Sequence, residues 1–189
     1  MEQVTRNHFR FPSTSAIVLT LTAGVAVLIP FLSQAAEEPL EYQVKAAFLL
    51  NFTKFIEWPP KAFGSPAAPV SICVLGDDSF GSTLDQIVAG ELVNGRAVAA
   101  QKLKRTPPPQ SCQIVFVGKS EKDVGKILPG LGPGVLTVGE KEGFLHEGGM
   151  IAFVVENRRV RFDVNQTAAE NAGLKLSSKL LSVARSVEK

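Results

Sequence analysis

The chain has 189 residues, is 45% hydrophobic and 20% charged, and carries a formal net charge of +2. A balance so close to neutral gives no electrostatic case for nucleic acid or an anionic membrane as partner. The cysteines are Cys73 and Cys112 and the histidines His8 and His146; with His8 in the N-terminal segment read below as a signal, two cysteines and one histidine remain, too few for a zinc site of the usual kind.

Residues 1–36 read as a secretory signal peptide. Arg6, His8 and Arg10 make a basic start, Ala16–Leu32 is an uncharged and mostly apolar run, and Ser33 and Ala35 are small residues at an A-x-A-like site. The expected cut follows Ala35 or Ala36. An uncleaved anchor is the competing reading, but the run has only 17 residues, at the short edge for a spanning helix. Thr20, Thr22, Gly24 and Pro30 weaken it further, and no cysteine follows to make a lipoprotein signal. Residues 37–189 are then one domain with room for a real core. Losing Arg6, Arg10 and Glu2 with the leader lowers the net charge by one, from +2 to +1. An even pair of cysteines in an exported chain favours a disulfide.

In chain order, Pro39–Glu57 is predicted helical, because Val44, Phe48, Phe52, Phe55 and Ile56 recur at three- and four-residue spacings. Ala46, Ala47, Leu49 and Leu50 widen that face. Trp58-Pro59-Pro60 stops the helix. Pro69–Leu75 is a buried strand, Gly76–Ser79 a turn, and Asp78 or Ser79 caps a helix to about Ala89. Asn94-Gly95 is a turn before a strand over Arg96–Lys102. Pro107–Pro109 forces a stiff connection. Cys112–Gly118 is a second buried strand, Lys119–Leu128 a short helix, and Val135–Val138 a third strand. Met150–Val155 and Val160–Val164 form an antiparallel hairpin. Asn165 or Thr167 opens a long C-terminal helix to about Val187, with Ala168, Ala172, Leu176, Leu180, Val183 and Val187 on its face. The predicted class is α/β: a largely parallel sheet with helices on both faces, plus the hairpin and the long C-terminal helix.

Few residues offer chemistry. His146 sits in the turn-rich stretch Gly143–Gly149 and reads as an exposed loop histidine. A hydrolase would need it as base, yet no G-x-S-x-G turn presents a serine. Gly130–Gly134 is glycine-rich, but Pro133 removes an N–H a phosphate loop would use. Gly76-Asp77-Asp78 lies at the carboxyl end of the first buried strand, where open α/β sheets bind ligands. A small-ligand pocket near Gly76–Phe80 is therefore an alternative to a simple capping role. Cys73 and Cys112 are 39 positions apart, so they are not a C-x-x-C motif. If their strands are neighbours the side chains can meet, and the bond would stabilise the fold by about 4 kcal/mol. Phe48, Phe52 and Phe55 read as core; Trp58 is equally well an exposed anchor. No metal, cofactor or catalytic residue is assigned, and the chain is expected not to be an enzyme.

Three sets of residues carry a family resemblance: the opening Tyr42–Pro59 (YQVKAAFLLNFTKFIEWP), the middle segments Ile72–Gly81 and Cys112–Phe116, and the closing Gly148–Phe153, Arg161–Asn165 and Ala172–Leu181. In this order they resemble the YfiR family of periplasmic proteins over essentially all of 40–187. The resemblance implies a regulator that holds the sensory portion of an inner-membrane protein inactive, best known as a diguanylate cyclase making cyclic di-GMP; a sensor kinase is another such receptor. It also implies an α/β sheet, a homodimer and a supporting disulfide, with Cys73 and Cys112 matching the family's more common pair. The best-known member's second pair, near His146–Val154, has no counterpart here, which removes redox switching through that bond. Candidates for partner or ligand contact are the polar positions a core would not require, Lys45, Asn51, Lys54, Arg161 and Asn165, together with Trp58, Asp77 and Asp78.

Overall fold

A computed structural model describes residues 40–106 and 110–189. The leader read over 1–36 and the proline connection at 107–109 lie outside the described residues. Helix α1 (Leu40–Phe55) runs into strand β1 (Ile56–Glu57) and a 3-10 turn at Pro60–Ala62. There follow β2 (Val70–Leu75), α2 (Thr83–Val88), β3 (Leu92–Val93), β4 (Arg96–Leu103) and β5 (Ile114–Val117). Helix α3 (Val124–Ile127) passes into a 3-10 turn at Leu128–Leu131, then β6 (Leu136–Gly139), β7 (Ile151–Glu156) and β8 (Arg159–Asn165). The chain ends in α4 (Gln166–Asn171), β9 (Lys175–Leu176), α5 (Ser178–Val183) and β10 (Ser186–Glu188).

Eight strands form one sheet in the order β10-β8-β7-β6-β5-β2-β4-β3, and β1 pairs separately with β9. The run from β4 to β7 is parallel; β7–β8 and β3–β4 are antiparallel hairpins, and β10 lies parallel to β8. Every residue of β2, β5 and β6 is buried, as a sheet covered on both sides requires. Side chains alternate between two cores because successive Cβ atoms point to opposite faces. Ile72, Val74, Ile114, Phe116, Leu136 and Val138 pack with residues of α1, α2, α4 and α5. Cys73, Leu75, Val115 and Val117 pack on the other face with Val124, Leu131 and Phe144.

The α1 stripe is rotated from its predicted position. Phe52 is buried, but Phe48 and Phe55 are half-buried, Val44 is exposed, and Ile56 has left the helix for β1. The inward residues are Lys45, Ala46, Leu49, Leu50, Phe52 and Thr53. The rings of Phe48 and Phe52 meet Phe153 and Phe162 of the β7–β8 hairpin at centroid distances of 5.2–6.0 Å, which sets the rotation.

The single long C-terminal helix is replaced by two short ones. Gly173 takes φ +80°, and the Leu174 N–H donates to the Ala169 carbonyl at 3.0 Å, closing α4 in a left-handed cap. Ser177 then caps α5, its Oγ accepting from the Leu180 N–H at 3.2 Å. The Arg185 N–H donates to the Phe162 carbonyl at 2.8 Å and turns the last residues into β10. The apolar spacing of a continuous helix survives, but glycine and serine cut it into pieces. Helices α2 and α3 are likewise shorter than predicted. Asp78 caps no helix; its Oδ1 accepts from the Phe80 N–H at 3.1 Å within the turn. In α3 the chain narrows to a 3-10 turn at Pro129, which has no N–H to continue an α-helix.

The glycine-rich stretch after β6 has a packing reason. A Cβ on Gly139 or Gly149 would collide with the Phe144 ring, which is 1% exposed and fills the second core. Gly149→Ala is expected to cost about 1–3 kcal/mol through forced repacking. Thermal melting of the purified variant checks it; an unchanged melting temperature would refute the close packing.

Candidate functional site

Strand order around β4-β2-β5-β6-β7 reverses between β2 and β5, where open α/β sheets commonly hold ligands at the strand carboxyl ends. Two glycines at that point are closely approached by other parts of the chain. A side chain on Gly76 would meet Glu121 Oε1 at 2.5 Å, and one on Gly118 would meet the Asp77 carbonyl at 3.2 Å. The open cleft, of about 430 Å³, lies instead among Lys45 of α1, the Glu140–His146 turn after β6, and the β7 and β8 strands.

Glu140 follows the last residue of β6 and its side chain is 5% exposed. It accepts a hydrogen bond from the Tyr42 hydroxyl at 3.0 Å and pairs with the Lys45 ammonium, which also pairs with Glu41. Lys45 is 2% exposed and sits 4.5 Å from the Tyr42 ring centroid. Burial pulls the Lys45 pKa down, but the hydrogen bonds it donates to Glu140 and Glu41 outweigh it and leave the ammonium above its ordinary value. Burial, with Glu140 beside it, also holds the Tyr42 hydroxyl above its usual value, against a lowering hydrogen bond with Ser79. Tyr42, Lys45, Glu41 and Glu140 are thus one another's partners at the edge of the cleft.

On the same cleft, Asp163 of β8 meets Arg185 in a two-pronged contact, with Arg185 Nε to Asp163 Oδ1 at 2.8 Å. Burial pushes the Asp163 carboxyl up, yet the hydrogen bonds of Arg185 and Ser186 prevail and hold it below the ordinary carboxylate range. A depressed carboxylate contributes stability above its unfolded value of about 4, and loses it as pH falls through the lower folded value. Acid titration of Arg185→Gln is therefore expected to show a weaker loss of stability below about pH 4 than the parent chain. Identical acid limbs would remove the pair from the fold's pH response.

The residues singled out in the sequence do not converge. Lys45 is in the cleft. Asn51 and Lys54 point to solvent from α1, with Lys54 Nζ 2.9 Å from Glu91. Asp77 is exposed; Asp78 meets Lys102 at 2.7 Å. Trp58 is half-buried and donates from Nε1 to the Gln113 carbonyl at 3.2 Å, so it ties the helix exit to β5. Asn165 caps α4, accepting from the Ala168 N–H at 2.8 Å, and Arg161 is exposed on β8. His146 is exposed at the cleft margin. Three residues were missed. Glu140 and Arg185 are ordinary charges in sequence until partners 95 and 22 positions away identify them. Gln113 is 1% exposed, its amide spanning the Ser71 N–H at 2.8 Å and the Ala62 carbonyl at 2.7 Å.

Cys73 and Cys112 are joined, with Cα atoms 5.9 Å apart, because β2 and β5 are adjacent. The residues are 0% and 1% exposed. Among the described residues no helix is long and apolar enough to cross a membrane, and no group of three or more His, Cys, Asp or Glu could hold a metal ion.

No curated protein matches the chain. A solved structure described as a conserved domain protein from Vibrio cholerae is similar at 12% identity and a TM-score of 0.47. The match covers 80% of this chain and 60% of that one. The family profile described as YfiR/HmsC-like matches residues 42–185, from the Tyr42 that meets Glu140 to the Arg185 that meets Asp163. The chain therefore belongs to the YfiR/HmsC-like family.

Proposed function

We propose that this protein is a periplasmic regulator that binds the sensory portion of an inner-membrane signalling protein, most often a diguanylate cyclase, and holds it inactive. The observation that carries the reading is membership of the YfiR/HmsC-like family across residues 42–185. The charged groups of the cleft support it, since Lys45, Glu140, Asp163 and Arg185 are spent on one another rather than aimed at a reacting atom. Residues 1–36 direct export and are removed after Ala35 or Ala36, leaving 37–189 as one domain that works as a homodimer and without catalysis.

The test is cross-linked capture from inner membranes, joined to cyclic di-GMP measurement in cells lacking the protein. Recovery of a diguanylate cyclase together with raised cyclic di-GMP is expected. Recovery of a sensor kinase, with cyclic di-GMP unchanged, would reassign the partner. Recovery of no signalling receptor would sink the reading.

The cleft favours one further role, a small ligand that tunes partner affinity by favouring one state. Its volume of about 430 Å³ falls within the range of small-molecule sites. A ligand at a hundred times its dissociation constant adds about 2.7 kcal/mol, which thermal melting in a metabolite panel would reveal.

A further inference from the structure

The β7–β8 hairpin extends beyond both of its neighbours. β6 pairs with β7 only at Ile151 and Ala152, and β10 pairs with β8 only at Asp163–Asn165. Among the described residues the ladder from Phe153–Phe162 to Glu156–Arg159 is therefore a two-stranded ribbon with no third strand on either edge. Its base is fixed on one face by Phe153 and Phe162 against α1. Its tip turns at Asn157-Arg158, both with positive φ (49° and 61°), the two-residue turn that matches strand twist.

Three arginines lie at this end, Arg158, Arg159 and Arg161, all exposed and none in an ion pair among the described residues. Arg159 and Arg161 are two apart on one strand, so they share a face, about 7 Å apart along it. With Glu156 and Asn157 they line a shallow depression. The two carboxylates on these strands, Glu156 and Asp163, are both engaged by Arg185, at 3.7 Å and 2.8 Å. On the opposite face Val155 is 51% exposed. The near-neutral chain thus concentrates positive charge at one projecting end, with an apolar side chain on the reverse face.

We propose that this ribbon tip is a contact site for an anionic phospholipid surface, with the three guanidinium groups on headgroup phosphates. Guanidinium matches phosphate oxygens two at a time. An anionic lipid surface attracts clustered basic charge. The site would hold a regulator close to the membrane plane where its receptor lies. It does not depend on which receptor that is.

The test is co-sedimentation of the processed protein, purified from periplasm without detergent, with vesicles of phosphatidylglycerol and phosphatidylcholine, and with phosphatidylcholine alone. Binding to the anionic vesicles only, lost in high salt, is expected. The variant Arg158→Asn, Arg159→Gln, Arg161→Gln is expected to bind roughly a hundredfold more weakly, at about fivefold per basic side chain. Its melting temperature checks that it folds; were it to misfold, the lipid-charge and salt dependence of the parent chain would still decide. Equal binding to both vesicle types, or an intact response in a folded triple variant, overturns the proposal. Displacement by inorganic phosphate reassigns the tip to a free phosphate ligand and also overturns it. The probe contains no receptor, so failure here leaves the receptor reading standing, and failed receptor capture leaves this result standing.

Discussion

Replacing both Cys73 and Cys112 with alanine is expected to lower unfolding stability by about 4 kcal/mol. The bond closes a loop with a sequence separation of 39, and the chain-entropy cost of leaving that loop open supplies the figure. Against a typical total of roughly 5–15 kcal/mol, the variant would be marginal. Denaturant titration measures it directly; a loss below about 1 kcal/mol would mean the unfolded chain is already constrained there. Burial adds a kinetic expectation. Both residues are at most 1% exposed, packed among Val115, Val117, Val124 and Leu131. Mild reductant is therefore expected to leave the native bond intact, with thiols becoming labelled only as fast as the domain opens. Rapid labelling under native conditions, with loss of partner binding, would instead make this bond a redox sensor.

The second large effect is expected at Lys45. Lys45→Ala leaves Glu140, 5% exposed at its side chain, without its cation, and breaking such a buried pair costs about 3–5 kcal/mol. Lys45→Met combined with Glu140→Gln is expected to recover much of that loss, because neither remaining group is a buried charge. A double variant no more stable than Lys45→Ala would show that the pair is not coupled as the geometry indicates. The cluster also sets an alkaline limit. The Lys45 and Tyr42 pKa values are both raised, so their contribution is whole below the unfolded values of about 10 and is lost as pH climbs past them. Melting temperature measured up the alkaline range is expected to fall from about pH 10 in the parent chain and less steeply in the double variant.

Much of the fold was legible from local rules. Three short apolar runs became β2, β5 and β6, since a strand buried on both faces needs no alternation. The Asn94-Gly95 turn and the hairpin followed from turn chemistry. The disulfide was legible conditionally, because two cysteines in two buried strands meet only if those strands are neighbours. The C-terminal helix misled because a four-residue apolar spacing is the same in one helix or two, and Gly173 and Ser177 decide between them through backbone conformation and capping.

The family's ordered motifs were therefore readable in one dimension. What the tertiary structure alone decided is where charge is neutralised. Lys45 sits among apolar neighbours on α1 and becomes a buried cation only because β6 carries Glu140 to it across 95 positions. Glu121 closely approaches Gly76, and an open cleft that no sequence pattern marked lies at Glu140. Among the described residues Arg158, Arg159 and Arg161 of the hairpin have no carboxylate partner, while Arg185 meets both Glu156 and Asp163. Ion pairing is a through-space interaction that falls off within a few ångströms of water, so sequence can count charges but only the fold can say which of them remain unmatched.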